Sequence, residues 1–229
     1  MSVKRSLTLT AALLAGLGMA ACSNGHKDVN ALTVAKAAVG SKPSQVVDDP
    51  AQVKAAVNEA LNVLEGPLAL VTFEKTNNNV VLRQIATNGP YRTWTSWSQG
   101  TDRRSVTTRN GVITATRGLR NDLMSSDVSQ TLSLVSSRSS GNATRIQRYL
   151  DGENQIVEMH ANCTITRGGQ SRVQVGAIDR LTVEMTENCQ AGDRIIRNIY
   201  RVDGQGRIVQ SVQWLSDFYG LAVLQSLRD

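Results

Sequence analysis

The first regular pattern along the chain is an apolar stripe with helical spacing. Asp49-Pro50 marks its start, because it places an aspartate at the N-cap and a proline at the first helical position. Gly66-Pro67 ends the pattern. The apolar residues between these two signals lie on one face of a helix: Val53, Ala56, Val57, Ala60, Leu61 and Leu64. The sequence therefore predicts an amphipathic helix over residues 50–65.

From Pro67 onward, apolar and polar residues alternate with a period of two, which is typical of half-buried β-strands. Turn residues separate these runs, and Asn110-Gly111 between two of them is the strongest short-range signal for a hairpin. The predicted strands are 68–75, 80–87, 91–98, 104–109, 112–116, 145–150, 155–165, 178–185, 195–202 and 207–215.

The remaining stretches of the β-rich part have weaker patterns. The serine-rich stretch 121–142 contains no aromatic residue, so we predict a surface excursion with a short helix at 121–125. The tail, 217–228, fits a helix or a strand. About ten strands joined by tight turns imply a mainly β fold. We expect an antiparallel meander sheet that forms a barrel-like or sandwich body, with the N-terminal amphipathic helix as its plug or cover.

The N-terminus has the order of a bacterial export signal. Lys4 and Arg5 precede an uncharged, mainly apolar run over 7–19, which is too short to span a membrane. Met19-Ala20-Ala21-Cys22 resembles a lipobox, in which the signal is cut before the cysteine and the cysteine is acylated. The alternative is an ordinary signal peptide with an incidental cysteine at the junction. Ser23, where an aspartate would indicate retention, points by the same resemblance to the outer membrane.

These signals divide the chain into a lipoprotein signal peptide over 1–21, a flexible tether over 22–48 and a single β-rich domain over 49–229. Acyl chains on Cys22 hold such a domain on a membrane, so we expect a lipid-anchored outer-membrane protein that faces the periplasm. The 229 residues are 41% hydrophobic with a net charge of +6, which excludes global disorder. The single apolar run excludes a polytopic membrane protein.

Cysteine and histidine are too few for most metal or nucleophile chemistry. With Cys22 acylated, Cys163 and Cys189 remain, and an even pair in an exported chain predicts a disulfide. The alternative is a metal site in which His160 joins both cysteines, but structural zinc needs a fourth ligand. We expect no metal and no cofactor.

Catalytic signals are weak. Glu158, Glu184 and Glu187 lie on β-like segments and are the candidate carboxylates of a polysaccharide hydrolase, although glutamate on an exposed strand face is the usual case. His160 is the candidate general base, but a histidine in a strand is more often structural. Gly204-Gln205-Gly206 is a hairpin turn rather than a phosphate-binding loop, and no serine lies in a nucleophile elbow. The sequence predicts that the protein is not an enzyme.

Arginine supplies the positive charge of the β-rich part. The last lysine is Lys75, and 18 arginines follow from Arg83 onward. The planar guanidinium binds carboxylates in a bidentate manner, which suits an acidic polysaccharide, while codon bias in a GC-rich genome explains the same pattern. Strand alternation places Trp94 on the opposite face from Tyr91 and Trp97, so one side packs in the core. The other side either packs in the core as well, which is the usual case, or forms a sugar-stacking surface. The predicted glycan or partner surface contains Arg92, Trp97, Arg103 and Arg109.

The centre of the chain resembles a known family. The resemblance is carried by Trp94–Trp97, then Ser105–Leu119, then Asp122-Leu123, and a late hairpin that ends with Arg207–Trp214 supports it. These segments are similar to the YjbF/GfcB family, the outer-membrane lipoproteins of capsule and exopolysaccharide operons. The resemblance covers most of the mature chain and includes no catalytic signature. It implies a β-rich lipoprotein that assists polysaccharide secretion.

Three functions are compatible with these observations. The first is a non-enzymatic, lipid-anchored accessory protein for capsule or exopolysaccharide secretion. Its partners are then the membrane and an anionic polysaccharide or polysaccharide-export proteins, and not nucleic acid. The second is a lipid- or lipoprotein-handling half-barrel, which requires a deep apolar cavity. The third is a periplasmic polysaccharide hydrolase, which requires two carboxylates about 5–10 Å apart in a cleft.

Overall fold

The computed structural model describes residues 49–97, 104–153 and 155–229. The predicted lipidation site Cys22 and the candidate surface residue Arg103 lie outside these ranges. Neither helix in the described part of the chain is long and apolar enough to cross a membrane.

Helix α1 spans Pro50–Val63 and begins as predicted. The Asp49 carboxylate accepts a hydrogen bond from the backbone N–H of Ala51 at 2.9 Å, which caps the first turn. The helix ends two residues before the predicted position, because Leu64 already has extended backbone.

The described strands form a single antiparallel sheet in which consecutive strands are neighbours, except β5 and β6. Their bounds are β1 Leu68–Phe73, β2 Asn78–Asn88, β3 Tyr91–Ser96, β4 Ser105–Arg109, β5 Val112–Arg117, β6 Leu123–Asp127, β7 Gly141–Leu150, β8 Ile156–Val175, β9 Ile178–Ala191, β10 Arg194–Asp203, β11 Ile208–Ser216 and β12 Gly220–Arg228. The first and last strands, β1 and β12, pair with each other in the middle of the sheet, and β5 and β6 are its two edges. The predicted mainly β antiparallel meander is therefore confirmed.

The two edge strands approach each other, so the sheet is a nearly closed barrel rather than a sandwich of two sheets. The backbone N–H of Leu123 in β6 donates to the Thr116 hydroxyl in β5 at 3.0 Å. Arg117 Nη1 donates to the backbone carbonyl of Leu123 at 3.2 Å. Side chains thus replace the backbone ladder at this junction.

The predicted short helix at 121–125 is wrong. The Asp122 carboxylate accepts backbone hydrogen bonds from Gly118 at 2.9 Å and Leu119 at 3.0 Å, which fixes a tight turn. The chain leaves this turn in the extended conformation of β6. The tail, which fitted a helix or a strand, is strand β12, and with β6 it raises the strand number above the expected ten.

A second helix, α2, spans Ser129–Ser137 within the stretch that was predicted as a surface excursion. The Asp127 carboxylate accepts a hydrogen bond from the Ser129 N–H at 3.1 Å at its start, and Arg138 ends it in the left-handed conformation with φ 56°. Its buried residues are Thr131, Leu132 and Val135.

The two helices lie against opposite faces of the sheet. α1 covers the outer face, in a cluster with Leu68, Val81 and Leu227. α2 packs against the inner face, in a cluster that includes Val183 and Tyr200. A further inner cluster contains Ala69, Val71, Phe73, Leu82, Trp94, Val106, Ile113, Leu123, Leu215, Tyr219, Ala222 and Leu224. Side chains therefore fill the interior of the barrel-like sheet.

Candidate functional site

An open groove lies between helix α2 and the turns that join β2 to β3 and β4 to β5. Its volume is about 340 Å³, within the range of small-molecule sites, and it is open to solvent. The described residues that line this α2 groove are Pro90, Arg109, Asn110, Ser129, Leu132, Ser133 and Ser136.

The β4–β5 hairpin forms one wall of the groove. Asn110 and Gly111 have φ angles of 44° and 79°, as the predicted Asn-Gly hairpin turn requires. Asn110 Nδ2 donates to the Ser136 hydroxyl at 3.0 Å and to the backbone carbonyl of Gly206 at 2.9 Å. Gly111 also packs closely on β11, since a Cβ at this position would lie 2.9 Å from the carbonyl oxygen of Ile208. These contacts fasten the hairpin tip to α2 and to the β10–β11 turn.

Arg109 stands at the other end of the groove. Its Nη1 donates to the Ser129 hydroxyl at 3.1 Å, and its guanidinium carbon lies 6.0 Å from the centre of the Tyr91 ring. The nearby carboxyl of Asp127 is ionised, because hydrogen bonds from the backbone and side chain of Ser129 hold its pKa below the usual value, and the charge of Arg109 adds to this effect. Arg109 is therefore held in place in the lining of an open groove, with one hydrogen bond given for its guanidinium.

The side chains of the groove can bind a polar ligand. Its lining offers serine hydroxyls, an amide and a guanidinium, which are the groups that bind sugar hydroxyls and anionic substituents. The described lining residues include no carboxyl, imidazole or thiol group, so the groove holds neither a general acid–base pair nor a strong nucleophile.

The structure brings only part of the predicted surface together. Arg109 lines the groove, whereas Arg92 is exposed on β3 opposite Thr108 and does not line it. Trp97 is half-buried in the α1 cluster, roughly 20 Å along the strand from Tyr91. The expectation of an exposed aromatic face at Trp97 is therefore wrong, because the outer face there is covered by a helix.

Trp94 has the orientation that alternation predicted. It is buried in the inner cluster, and its Nε1 donates to the Thr108 hydroxyl at 2.9 Å. The groove residues that sequence reasoning missed are Asn110 and the serines of α2. Their signal was the helical spacing of Val128, Leu132 and Val135, which leaves the serines that follow them on the adjacent face.

Cys163 and Cys189 form the predicted disulfide. They are direct neighbours across β8 and β9, and both are buried. The Glu187 carboxylate lies within 4.8 Å of their sulfur atoms, but bonded sulfurs are not the thiolates that bind metals. His160 takes no part, because it is exposed and its Nε2 lies 3.0 Å from Glu158 Oε2. The alternative of a metal site with His160 has no support.

The three candidate carboxylates of a hydrolase do not share a cleft. Glu158 pairs with Arg148 at 2.5 Å, and hydrogen bonds from Arg148 and His160 lower its pKa. Glu184 pairs with Arg201 at 2.7 Å. Glu187 is fully buried on the inner face, three positions from Glu184 on the same strand, so the two side chains point to opposite faces.

Glu187 is the acceptor of a buried hydrogen-bond network. Its Oε2 accepts from Arg145 at 2.9 Å, Asn198 at 2.7 Å and Tyr200 at 2.7 Å, and its Oε1 accepts from Thr131 at 2.6 Å. Burial alone would raise its pKa, but the charge of Arg145 and these hydrogen bonds outweigh burial and lower it. An ionised, fully paired carboxylate in this position is structural.

One apolar cavity of the interior is too small for an acyl chain. An apolar cavity beside Val71, Phe73 and Val106 has a volume of about 20 Å³, which is enough for one water molecule. The lipid-handling alternative therefore gains no support from this part of the described structure.

Comparisons with known proteins agree with the fold. The family model described as "Group 4 capsule polysaccharide lipoprotein gfcB, YjbF" matches residues 26–227. The crystal structure of the hypothetical lipoprotein YmcC from Escherichia coli (K12) is similar with a TM-score of 0.63 at 17% identity, over 89% of this chain and 98% of that chain. No curated protein matches the chain. Because the family model covers nearly the whole chain beyond its first 25 residues, the protein belongs to the YjbF family of group 4 capsule polysaccharide lipoproteins.

Proposed function

We propose that this protein is a lipid-anchored accessory protein on the periplasmic face of the outer membrane, where it binds capsule polysaccharide or exopolysaccharide during secretion without cleaving it. The α2 groove is the observation that carries the proposal. It combines a volume of about 340 Å³ with hydroxyl, amide and guanidinium groups, and it lies open to solvent where a polymer has access.

We propose binding without cleavage because of where the candidate carboxylates lie. Glu158 and Glu184 are each paired with an arginine, and Glu187 is sealed on the inner face. Glycoside hydrolysis needs two carboxyl groups on either side of the scissile bond. None of these three carboxylates lines the groove.

The decisive experiment blocks the groove with a tryptophan side chain and measures polysaccharide secretion by living cells. Ser133→Trp places a large side chain within the groove, and Ser137→Trp places the same side chain on an exposed position of α2 that does not line it. Each variant is expressed in a strain that lacks the gene, and secreted polysaccharide is measured at equal protein level. We expect Ser133→Trp to reduce secretion like the deletion and Ser137→Trp to restore it.

Two outcomes contradict the proposal. Secretion that is unchanged by deletion of the gene removes the accessory role. Shortening of the purified polysaccharide by purified protein establishes a hydrolase instead.

Anchoring at Cys22 is tested separately. The lipobox-like junction and membership of a lipoprotein family support it. A Cys22→Ser variant should lose its place in the membrane fraction, as measured by cell fractionation and immunoblotting. A variant that is still processed and still sediments with membranes contradicts acylation at this residue.

A further inference from the structure

We infer that Arg109 recognises a carboxylate group on the bound polymer, so that the ligand of the α2 groove is a glycan that contains uronic-acid-type sugars. This inference rests on the proposed function, because it names the chemical class of the polysaccharide that the groove binds. It assigns charge recognition to one residue rather than to the general basicity of the chain.

The orientation of Arg109 is fixed by contacts that use little of its binding capacity. A guanidinium has five N–H donors in a planar fork. One nitrogen of Arg109 donates to Ser129 at 3.1 Å, and the ring of Tyr91 lies beside the guanidinium carbon. The fork is thus oriented before a ligand arrives, which reduces the entropy lost on binding.

The charge of Arg109 is not compensated by an ion pair. Within the described residues, Asp127 is close enough to lie in its field, yet that carboxylate is bonded to Ser129 and does not reach ion-pair distance of Arg109. Several other arginines of the sheet have a carboxylate partner: Arg145, Arg148, Arg172, Arg194, Arg201 and Arg207. Arg109 therefore combines a fixed position, a solvent-open groove and an unpaired charge.

The remaining lining groups match the rest of a sugar chain. The serines of α2 that line the groove, Ser129, Ser133 and Ser136, are about one helical turn apart, roughly 5.4 Å. Among the described residues, the Ser133 hydroxyl makes no hydrogen bond, and it lies between the Arg109 and Asn110 ends of the groove. A sugar whose carboxylate is bound at Arg109 thus has neutral hydroxyl partners further along the groove.

The test compares two arginines on neighbouring strands. Arg109→Gln and Arg92→Gln each remove one positive charge, but only Arg109 lines the groove. The probe is the secreted polysaccharide of the host strain, used in its native form and after chemical reduction of its carboxyl groups to alcohols. Binding to the purified mature protein is measured by titration calorimetry, and thermal unfolding shows that both variants remain folded.

We expect Arg109→Gln to weaken binding of the native polymer by about 10- to 100-fold, as for a lost charge-assisted hydrogen bond, and Arg92→Gln to change it by less than about threefold. Arg109→Lys keeps the charge without the fork and should bind with intermediate affinity. Carboxyl reduction should weaken binding to the wild type and remove the difference between wild type and Arg109→Gln.

The outcomes separate this inference from the proposed function. Equal binding of native and reduced polymer overturns carboxylate recognition and leaves polysaccharide binding in place. Equal losses from Arg109→Gln and Arg92→Gln show that only overall charge matters, which also overturns the inference. No binding of either polymer to the wild type refutes the proposed function itself.

Discussion

Arg145 and Glu187 form an ion pair on the inner face of the sheet, with 2.9 Å between Nη1 and Oε2 and with side chains that are 3% and 0% exposed. Strands β7 and β9 each contribute one of these charges, and β8 lies between them. Tyr200, Asn198 and Thr131 add hydrogen bonds to the same carboxylate. The pair therefore ties helix α2 and three strands together at one point.

Removal of the positive partner should destabilise the fold strongly. Arg145→Leu leaves the Glu187 charge buried without its ion pair, which typically costs about 3–5 kcal/mol. Arg148→Leu, three positions along the same strand, removes a half-exposed pair with Glu158 and should cost little. Urea unfolding of both variants measures the difference in the free energy of unfolding. Equal losses would show that the buried ion pair contributes no more to stability than the half-exposed one.

The same carboxylate gives the protein an acid-sensitive stability. The pKa of Glu187 is lower in the folded protein than its ordinary value of 4.5, so its contribution is complete above that value and is lost as the pH falls through the folded-state pKa. We expect the free energy of unfolding to decrease as the pH is lowered below about 4.5. Denaturant titrations between neutral and acid pH test this, and a Glu187→Gln variant that loses stability as steeply as the wild type would exclude Glu187 as the cause.

The disulfide between Cys163 and Cys189 should stabilise the β8–β9 pair. The bond closes a loop of 26 residues, for which the chain-entropy model gives roughly 3.5 kcal/mol. Cys163→Ala with Cys189→Ala should therefore lower the free energy of unfolding by about 2–4 kcal/mol. Mass spectrometry of the exported wild type under non-reducing conditions tests whether the bond is present, since two free thiols would contradict it.

The glycine at the hairpin tip has a backbone conformation and a neighbour that exclude a side chain. Gly111 has φ 79°, and a Cβ there would lie 2.9 Å from Ile208, whereas Gly89 has φ 54° and an added Cβ would contact nothing within 4 Å. Gly89→Ala should cost about 1–2 kcal/mol from backbone strain alone, and Gly111→Ala should cost more because the hairpin must move away from β11. Thermal unfolding measures both, and similar losses would show that the contact with Ile208 is unimportant.

Local signals account for what the sequence predicted well. The Asp49-Pro50 start of α1 and the Asn110-Gly111 turn act within a few residues, so they are readable without knowledge of the fold. Helix α2 was missed because serines dilute its apolar pattern and its stability comes from packing on the inner face.

The groove depends on contacts that are remote in sequence. Arg109 and Ser129 are 20 residues apart, and Asn110 and Gly206 are 96 apart. The arginine bias of the β-rich part made Arg109 a candidate but could not place it beside the serines. Trp97 was misassigned for the related reason that alternation predicts which face a side chain occupies and not what covers that face.

The pairing of β1 with β12 has a consequence for the order of folding. These strands are the farthest apart in sequence, yet their ladder, from Leu68 opposite Arg228 to Phe73 opposite Ala222, joins the two halves of the sheet. Such a long-range contact forms slowly, because loop closure must precede any gain from pairing. A nascent chain that lacks the nine residues of β12, Gly220–Arg228, holds two incomplete sheets with unpaired edges at β1 and β11, which are templates for aggregation. Assembly of the whole sheet therefore requires strand β12.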